Sequence, residues 1–191
     1  DRVLDVGAGT GWFSRRLAAH ADVHVTALDP AQDWLRFARQ QASANLCYVA
    51  GRAESLPFPD AAFDVTISIA ALCFIAAERV AVAELVRVTR RRLGLGLLNR
   101  RSLLWRAKGR DGGQGGYRGA HWHTCAEAQA LFHGLPVERV RCRTAVTFPT
   151  GSRWARLAEH LVPAQAPWGG FLLVVADVSG SHRASHAAQH H

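Results

Sequence analysis

The first hundred residues alternate between short apolar runs and amphipathic stretches, and this alternation constrains the fold more than any other feature. The apolar runs predict strands at residues 2–6, 23–28, 46–50, 63–70 and 95–98. The stretches between them predict helices at residues 12–20, 32–43 and 78–92. Strands that alternate with helices form a parallel sheet with helices on both faces. The chain is therefore predicted to have a doubly wound α/β fold, whose apolar strands are buried on both sides.

The second half of the chain has a different pattern. Residues 109–119 are glycine-rich and polar, which predicts a flexible loop. Further strands are expected at residues 137–148 and 171–178, and further helices at 124–132 and 153–161. Thr124 is the expected N-cap of the first of these helices, with Glu127 as its capping-box partner.

A glycine-rich turn directly follows the first predicted strand, in the run Val3-Leu4-Asp5-Val6-Gly7-Ala8-Gly9-Thr10-Gly11. Glycine at such a turn lets a ligand approach the backbone closely, and the start of the next helix offers free N–H groups to negative charge. Asp5 stands just before the turn, where its carboxylate would repel a pyrophosphate but favour an ammonium. The turn therefore suits a ligand that carries both an ammonium and a carboxylate.

The glycine spacing argues against a dinucleotide ligand. The dinucleotide fingerprint is G-x-G-x-x-G. Counted from Gly7, its third glycine would fall at Trp12, and counted from Gly9 it would fall at Ser14. Neither register fits, so nicotinamide binding is not expected.

Asp29 ends the second predicted strand, at the edge where open α/β sheets bind their ligands. A carboxylate there can accept hydrogen bonds from both hydroxyls of a ribose, each worth about 1.5–3 kcal/mol. Alternatively, Asp29 caps the next helix, with Pro30 at the first helical position. The two roles are compatible.

Three segments in order, residues 5–11, 27–30 and 51–65, resemble the motifs of class I S-adenosylmethionine (SAM)-dependent methyltransferases, most closely the UbiE-like, type 11 group. The match continues through segments 69–75, 84–88 and 170–175. The resemblance covers about residues 1–178, which are expected to form one domain, followed by a disordered polar tail at 179–191. It implies a Rossmann-like, seven-stranded, mostly parallel sheet, SAM as the methyl donor and S-adenosylhomocysteine as the product.

The resemblance also implies which residues hold the cofactor. The methionyl end would be lined by Asp5, Gly7, Ala8, Gly9 and Gly11. The nucleoside would be held by Asp29 at the ribose, Pro30 against the adenine, the 52–54 segment at the adenine edge and Ile69 beyond the fourth strand. In that segment, Ala53 would offer its backbone.

The sequence departs from the family pattern at two places. The family usually has an acidic residue where Arg52 stands, and arginine cannot accept a hydrogen bond from the adenine amino group. Glu54 is the candidate to take that role. The family also usually has Pro-Gly-Gly before the fifth strand, where this chain has Arg92-Leu93-Gly94.

The reaction would be direct displacement at the sulfonium methyl group, in which the protein mainly aligns the reactants. A general base is needed only if the acceptor is protonated. Tyr117, His121 and His123 follow the fifth predicted strand, where this fold often places residues that face the acceptor, and they are weak candidates for that role.

The sequence favours a small-molecule acceptor. Methyltransferases that modify the amino groups of nucleic-acid bases usually carry an Asn/Asp-Pro-Pro-aromatic run after the fourth strand. That place holds Ser68-Ile69-Ala70-Ala71-Leu72 here. An RNA acceptor and an inactive scaffold that keeps the fold remain alternatives.

The formal net charge of +8 is carried almost wholly by arginine, since Lys108 is the only lysine. We interpret this charge as a compositional bias rather than as a sign of a nucleic-acid partner. The densest run, Arg90-Arg91-Arg92, ends a predicted helix, where cations complement the helix dipole. No apolar run reaches the ~20 residues that span a bilayer.

The four cysteines show no C-x-x-C spacing, so no zinc or redox motif is expected. Cys47 and Cys73 lie in apolar runs and are predicted to be buried thiols, which fits a reducing cytoplasm. The tail histidines, His182, His186, His190 and His191, have no acidic or cysteine partners nearby, so no metal site is expected. Because the chain contains no methionine, we expect a segment upstream of Asp1 in the native protein.

Overall fold

The computed structural model describes residues 1–20, 22–41, 43–145 and 168–179. Its strands are β1 (Arg2–Val6), β2 (His24–Asp29), β3 (Leu46–Ala50), β4 (Phe63–Ile69), β5 (Thr89–Leu98), β6 (Val137–Ala145) and β7 (Phe171–Val178). Its α-helices are α1 (Trp12–Ala18), α2 (Gln32–Arg39), α3 (Glu78–Val88), α4 (Leu103–Lys108) and α5 (Cys125–Ala130). Short 3₁₀ helices lie at Leu72–Phe74 and Gly115–Tyr117. The helix predicted at 153–161, the end of the strand predicted at 137–148, and the tail from residue 180 lie outside the described residues.

The seven strands form one sheet in the order β3-β2-β1-β4-β5-β7-β6. The five strands from β3 to β5 pair in parallel, whereas β7 pairs antiparallel with both β5 and β6. The order reverses at β1, because the chain leaves β3 at one edge and returns beside β1 as β4. Ligands of open α/β sheets bind at such a reversal, beyond the carboxyl ends of the strands. The prediction of a seven-stranded, mostly parallel α/β sheet is confirmed.

Each face of the sheet carries its own apolar core. The larger core joins strand residues such as Leu4 and Leu95 to Val82 and Leu85 of α3 and to Ala128 of α5. The smaller core joins β1, β2 and β3 to the first two helices, and its members include Val3, Val25, Ala27, Leu35 and Ala38. Two separate cores are the expected result for a sheet whose strands are apolar on both faces.

The first two helices bury aliphatic or small residues and expose aromatic ones. In α1 the buried residues are Ser14 and Ala18, and Phe13 is 45% exposed. In α2 the buried residues are Leu35 and Ala38, and Trp34 is 53% exposed. The aliphatic and small side chains let these short helices approach the sheet closely, which large aromatic rings would prevent.

The predicted helix at 78–92 ends four residues early, because Thr89 has extended backbone and begins β5. The Thr89 hydroxyl donates to the Leu85 carbonyl at 2.6 Å, which closes the last turn of α3. The arginine run therefore lies on a strand and does not complement a helix dipole. Its three side chains pair with carboxylates instead: Arg90 with Asp64, Arg91 with Asp1, and Arg92 with Asp177.

The segment after β5 is more ordered than its glycine content suggests. Helix α4 was not predicted, and it is capped by the Ser102 hydroxyl, which accepts from the Trp105 N–H at 3.0 Å. The predicted loop at 109–119 contains a 3₁₀ turn. The capping box of Thr124 and Glu127 at the start of α5 is confirmed.

The cysteines divide into three states. Cys73 is buried, as predicted, but the prediction for Cys47 is wrong, because Cys47 is exposed on β3, the edge strand of the sheet. Cys125 of α5 and Cys142 of β6 form a disulfide, which the sequence spacing did not indicate. Within the described part of the chain, no helix is long and apolar enough to cross a membrane.

Candidate functional site

The glycine-rich turn lies at the carboxyl end of β1 and is tied to the end of β2. Gly7, Gly9 and Gly11 all have positive φ, at 76°, 53° and 74°, a region that other residues enter only with strain. The N–H groups of Gly7 and Ala8 both donate to the Leu28 carbonyl, at 2.8 and 3.1 Å. The local sequence thus folds into a loop whose shape is fixed by its neighbour strand.

The three glycines differ in the space around them. A Cβ at Gly7 would lie 2.1 Å from the Cβ of Ala71, so the turn touches the segment that follows β4. A Cβ at Gly11 would lie 2.9 Å from the Tyr48 hydroxyl. A Cβ at Gly9 would meet nothing within 4 Å. Other side chains therefore pack against the turn at Gly7 and Gly11, whereas the space beside Gly9 is open, as a ligand-binding turn requires.

Asp29 is buried beside this opening. Its Oδ2 accepts from the Gly9 N–H at 2.8 Å, and its Oδ1 accepts from the Ala31 N–H at 2.8 Å. An ionised carboxylate offers about four acceptor positions, so each oxygen keeps one free. Asp29 thus joins the turn to β2 and still has capacity for ligand hydroxyls.

The alternative helix-capping role of Asp29 needs correction. The N-cap of α2 is Ala31, and the helix begins at Gln32, so Pro30 precedes the helix rather than opening it. The bond from the Ala31 N–H to Asp29 Oδ1 closes a local turn between β2 and the helix. Pro30 follows Asp29 directly at the ligand edge.

Asp5 lies beneath the turn and is almost fully buried, at 2% exposure. Its Oδ2 accepts a hydrogen bond from the Ser14 hydroxyl at 2.6 Å, which ties β1 to α1. Burial raises the pKa of the Asp5 carboxyl to about 6; the Ser14 hydrogen bond opposes this and the negative charge of Asp29 adds to it. Asp5 therefore supports the turn through its hydrogen bond with Ser14. Near neutral pH it is an ionised carboxylate whose burial is offset only by that hydrogen bond.

The loop that carries Arg52, Ala53 and Glu54 lies next to Asp29. The Gly51 N–H donates to the Asp29 carbonyl at 3.2 Å, and Ala53 is 5% exposed. Arg52 donates to Glu54 Oε1 at 2.8 Å, and hydrogen bonds from the Glu54 backbone and from Arg52 keep the pKa of Glu54 below its usual value. Glu54 is thus an ionised acceptor that already has one cationic partner.

Arg87 of α3 braces the same loop, and the sequence analysis did not identify this role. Its guanidinium donates to Glu84, to Asp60 and to the carbonyls of Leu56 and Phe58. Glu84 in turn accepts from the Leu56 N–H at 2.8 Å, and the Arg87 hydrogen bond lowers the pKa of Glu84. Arg87 lies about thirty residues from the loop carbonyls that it contacts, so a local sequence pattern could not predict these hydrogen bonds.

Ile69 ends β4 beside β5. A Cβ at Gly96 would lie 3.1 Å from the Cγ2 of Ile69, so the glycine lets the two strand ends approach closely. Ile69 is half-buried at the same edge of the sheet as the glycine-rich turn. Its predicted place near the cofactor agrees with this position.

Of the three acceptor-site candidates, the structure brings two together. His121 Nδ1 and His123 Nε2 lie 3.3 and 3.1 Å from Glu78 Oε1. Tyr117 packs instead on Trp122, with ring centroids 5.6 Å apart. Glu78 was missed by the sequence analysis, since it comes from the first turn of α3, more than forty residues before the histidines.

Exposed aromatic residues stand at the same edge. Trp12 opens α1 directly after the turn, Trp34 lies in the first turn of α2, and Phe74 ends the 3₁₀ helix after β4; they are 57%, 53% and 51% exposed. Because helices that follow parallel strands begin at the carboxyl edge, all three lie on the ligand side of the sheet.

Comparison with known proteins agrees with this geometry. Residues 4–92 match the family described as a methyltransferase domain. Over 89 residues the chain is 46% identical to a malonyl-[acyl-carrier protein] O-methyltransferase from Erwinia pyrifoliae, a stretch that covers 47% of this chain and 33% of that protein. The chain thus spans about a third of the length of the curated relatives it matches first.

Solved structures share the fold over nearly the whole chain. A SAM-dependent methyltransferase from Thermotoga maritima has a TM-score of 0.75 at 21% identity and covers 93% of this chain and 82% of that one. The [4+2]-cyclase SpnF has a TM-score of 0.66 at 19% identity and covers 93% and 75%. The chain thus has the fold of SAM-dependent methyltransferases, and its residues 4–92 match a methyltransferase domain. This match and this fold imply SAM as the cofactor and S-adenosylhomocysteine as the product.

Proposed function

We propose that this protein transfers the methyl group of SAM to a small-molecule acceptor by direct displacement. The observation that carries the proposal is the pairing of Asp29 with Gly9. The carboxylate is held by the Gly9 N–H at 2.8 Å, and the backbone at Gly9 faces open space. A nucleoside with a short zwitterionic arm fits an acidic group beside an uncovered glycine.

The residues take separate roles in this proposal. The Gly7–Gly11 backbone contacts the methionyl end, and the spare acceptor positions of Asp29 hold the ribose hydroxyls. Pro30 and Ala53 flank the adenine, with Arg52 and Glu54 at its edge. Ile69 lies near the cofactor at the end of β4. Asp5 acts from below, through Ser14 and the turn. Bound SAM supplies the activated methyl group, and the chain supplies alignment and exclusion of water.

The proposed acceptor half lies largely outside the sequence matches. The malonyl-[acyl-carrier protein] relatives match over less than half of this chain, and the family match ends at residue 92. The segment with His121 and His123 lies beyond it. The exposed aromatic residues at the ligand edge favour a small acceptor with an apolar body.

A cytoplasmic location is part of the same proposal, by analogy with enzymes that draw on intracellular SAM. The Cys125–Cys142 disulfide weighs against it, because structural disulfides are rare in reducing compartments. Alkylation of free thiols in protein taken directly from lysed cells, followed by mass spectrometry, decides this. An alkylated Cys125 supports the cytoplasm, and an unreactive one contradicts it.

The central test is calorimetry with S-adenosylhomocysteine. Wild-type protein should bind it, and Asp29→Ala should weaken binding by about tenfold or more, since it removes acceptors for two ribose hydroxyls. Asp33→Ala is the matched control, because Asp33 is an exposed carboxylate of α2 whose partner is Arg36. Equal affinities of the two variants would remove the ribose role of Asp29. A folded wild-type protein without measurable binding would support an inactive scaffold.

A nucleic-acid acceptor is the second candidate, because one region is strongly basic. Arg101, Arg106, Lys108, Arg110 and Arg118 are all exposed in the segment after β5, against a single carboxylate, Asp111. If RNA were the acceptor, its affinity would fall steeply between low and moderate salt. Methylation that is insensitive to salt supports the small molecule, and a steep loss would favour RNA.

A further inference from the structure

A buried carboxylate with two histidines lies at the carboxyl edge of β4 and β5. Glu78 and His123 have side chains that are 15% and 7% exposed, whereas the His121 side chain is 44% exposed. The His121 N–H donates to the Cys73 carbonyl at 2.7 Å, and the His123 N–H donates to the Leu98 carbonyl at 2.8 Å. His121 is thereby fixed to the 3₁₀ helix that follows β4, and His123 to the carboxyl end of β5.

One short backbone segment links this cluster to the cofactor turn. Cys73 belongs to the 3₁₀ helix that follows Ala71, and Ala71 is the residue whose Cβ occupies the space beside Gly7. One backbone segment therefore touches the cofactor turn at Ala71 and holds His121 at Cys73. This places His121 on the acceptor side of the turn.

The two histidines present different nitrogen atoms to Glu78. His123 makes a hydrogen bond to Oε2 through Nε2 at 3.1 Å, and its Nδ1 is buried without a partner among the described residues. His121 faces Oε1 with Nδ1 at 3.3 Å, an ion-pair distance. Glu78 Oε1 is otherwise buried without a hydrogen-bond partner in the described part of the chain.

A carboxylate beside one ring nitrogen favours the tautomer that keeps the proton on that nitrogen. The proton of neutral His121 would then reside on Nδ1, and Nε2 would carry a free lone pair. His121 is the exposed member of the pair, so its Nε2 is the accessible base.

We propose that His121 is the general base of the reaction and that Glu78 is its positioning residue; this rests on the proposed function. The acceptor oxygen or nitrogen forms a bond to the methyl carbon as the carbon–sulfur bond breaks, and the electron pair of that bond stays on sulfur. The acceptor proton passes to His121 Nε2, which yields an imidazolium that Glu78 stabilises. The partly exposed imidazolium then returns the proton to water.

This arrangement selects the class of acceptor. A hydroxyl or a protonated amine must lose a proton, so it gains from the base. A carboxylate acceptor has no proton to lose and would be repelled by Glu78. The acceptor is therefore a hydroxyl or amine compound, which differs from the carboxylate implied by the name of the malonyl-[acyl-carrier protein] relatives.

The first experiment measures the tautomer of His121 by NMR of protein with ¹⁵N-labelled histidine, at about pH 8, where exposed imidazoles are neutral. Wild-type protein should show a protonated Nδ1 and a free Nε2 at His121. Glu78→Gln removes the charge and keeps the shape, and should move His121 towards the tautomer mixture of an exposed histidine such as His20. His121→Gln assigns the signal, and His20→Gln is the control that leaves it unchanged. An unchanged His121 tautomer in Glu78→Gln overturns the proposal.

The second experiment measures methyl transfer to phenol, benzylamine and benzoate through formation of S-adenosylhomocysteine. His121→Gln should lower kcat for phenol or benzylamine by about 10²- to 10⁴-fold, without changing the KM for SAM. Glu78→Gln should lower the same kcat by a smaller factor. Methylation of benzoate alone, or an unchanged kcat in His121→Gln, overturns the proposal, and if no probe is methylated the tautomer decides. Wild-type protein that fails to bind S-adenosylhomocysteine refutes the proposed function separately.

Discussion

The cofactor end and the acceptor end of this molecule are built on different principles. The cofactor end is a backbone structure, in which Gly7, Gly9 and Gly11 supply positive φ and Asp29 fixes the loop through an N–H group. The acceptor end is formed by side chains: Glu78 of α3 contacts His121 and His123, which lie more than forty residues later in the sequence. A site formed by backbone groups depends on a run of consecutive residues, so relatives of one family share it. A site formed by side chains can change through single substitutions. The family match, which ends at residue 92, includes the glycine-rich turn, Asp29 and Glu78 but neither histidine.

The largest expected effect tests the open space at Gly9. Gly9→Val should reduce affinity for S-adenosylhomocysteine by about 100-fold or more, because the new side chain fills the place of the ligand. Gly112→Val is the matched control, since Gly112 also has positive φ and open surroundings but lies in the acceptor half. Calorimetry on both folded variants gives the comparison. Similar losses in the two would mean that backbone strain, not ligand space, causes the effect.

The next effect concerns the stability of the acceptor half alone. Replacing Cys125 and Cys142 by serine removes a cross-link between residues that are 17 apart in sequence, and should cost about 3 kcal/mol of unfolding free energy. Affinity for S-adenosylhomocysteine should stay the same, because the disulfide joins α5 to β6, away from the glycine-rich turn. Urea unfolding and calorimetry on one sample measure both. A weakened affinity would show that the disulfide region influences the cofactor site.

A comparable effect is expected at Asp5, and it depends on pH. Its folded-state pKa of about 6 exceeds the ordinary value of 3.8, so the buried carboxylate destabilises the fold increasingly as pH rises from about 4 to about 6, and the penalty then stays constant. Asp5→Asn should therefore be more stable than wild type at pH 7, by up to about 3 kcal/mol, and should lose this advantage near pH 4. Thermal unfolding across this range measures the difference. A constant difference between the two proteins would contradict the raised pKa.

The smallest effect probes the contact between the two ends. Gly7→Ala places a Cβ against that of Ala71 and should cost about 1–3 kcal/mol through overpacking and strain. Ala71→Gly removes the obstructing methyl group, so the double variant should recover part of the loss. A double-mutant cycle from urea unfolding gives the coupling. Additive effects would mean that the clash is relieved by movement elsewhere.

What could be predicted from the sequence follows from how local each feature is. The glycine-rich turn, the place of Asp29 at a strand end and the capping box of Thr124 are each marked by a pattern within a few consecutive residues, and each was located correctly. The buried faces of α1 and α2 cannot be found from their aromatic residues, because Phe13 and Trp34 are exposed whereas Ser14 and Leu35 are buried. The Arg90–Arg92 run was misjudged because its partners, such as Asp177, lie far away in sequence.

The acceptor cluster could not be predicted, because it requires the placement of three separate segments. Glu78 carries no pattern of its own beyond an acidic first turn. Its pairing with His121 arises only once the segment after β5 has brought residue 121 back beside Cys73, which follows β4. The roles assigned to the cofactor residues remain predictions, which the variants at Gly9 and Asp29 test.

The buried carboxylate beneath the turn also affects how ligand heats are measured. A group that is half-protonated near pH 6 will exchange protons with the medium whenever a charged ligand docks above it. The heat recorded in a titration then contains the ionisation enthalpy of whichever buffer supplies or receives those protons. Titrations in two buffers of unlike ionisation enthalpy would report the number of protons exchanged, and so read out the state of Asp5 without altering a single residue.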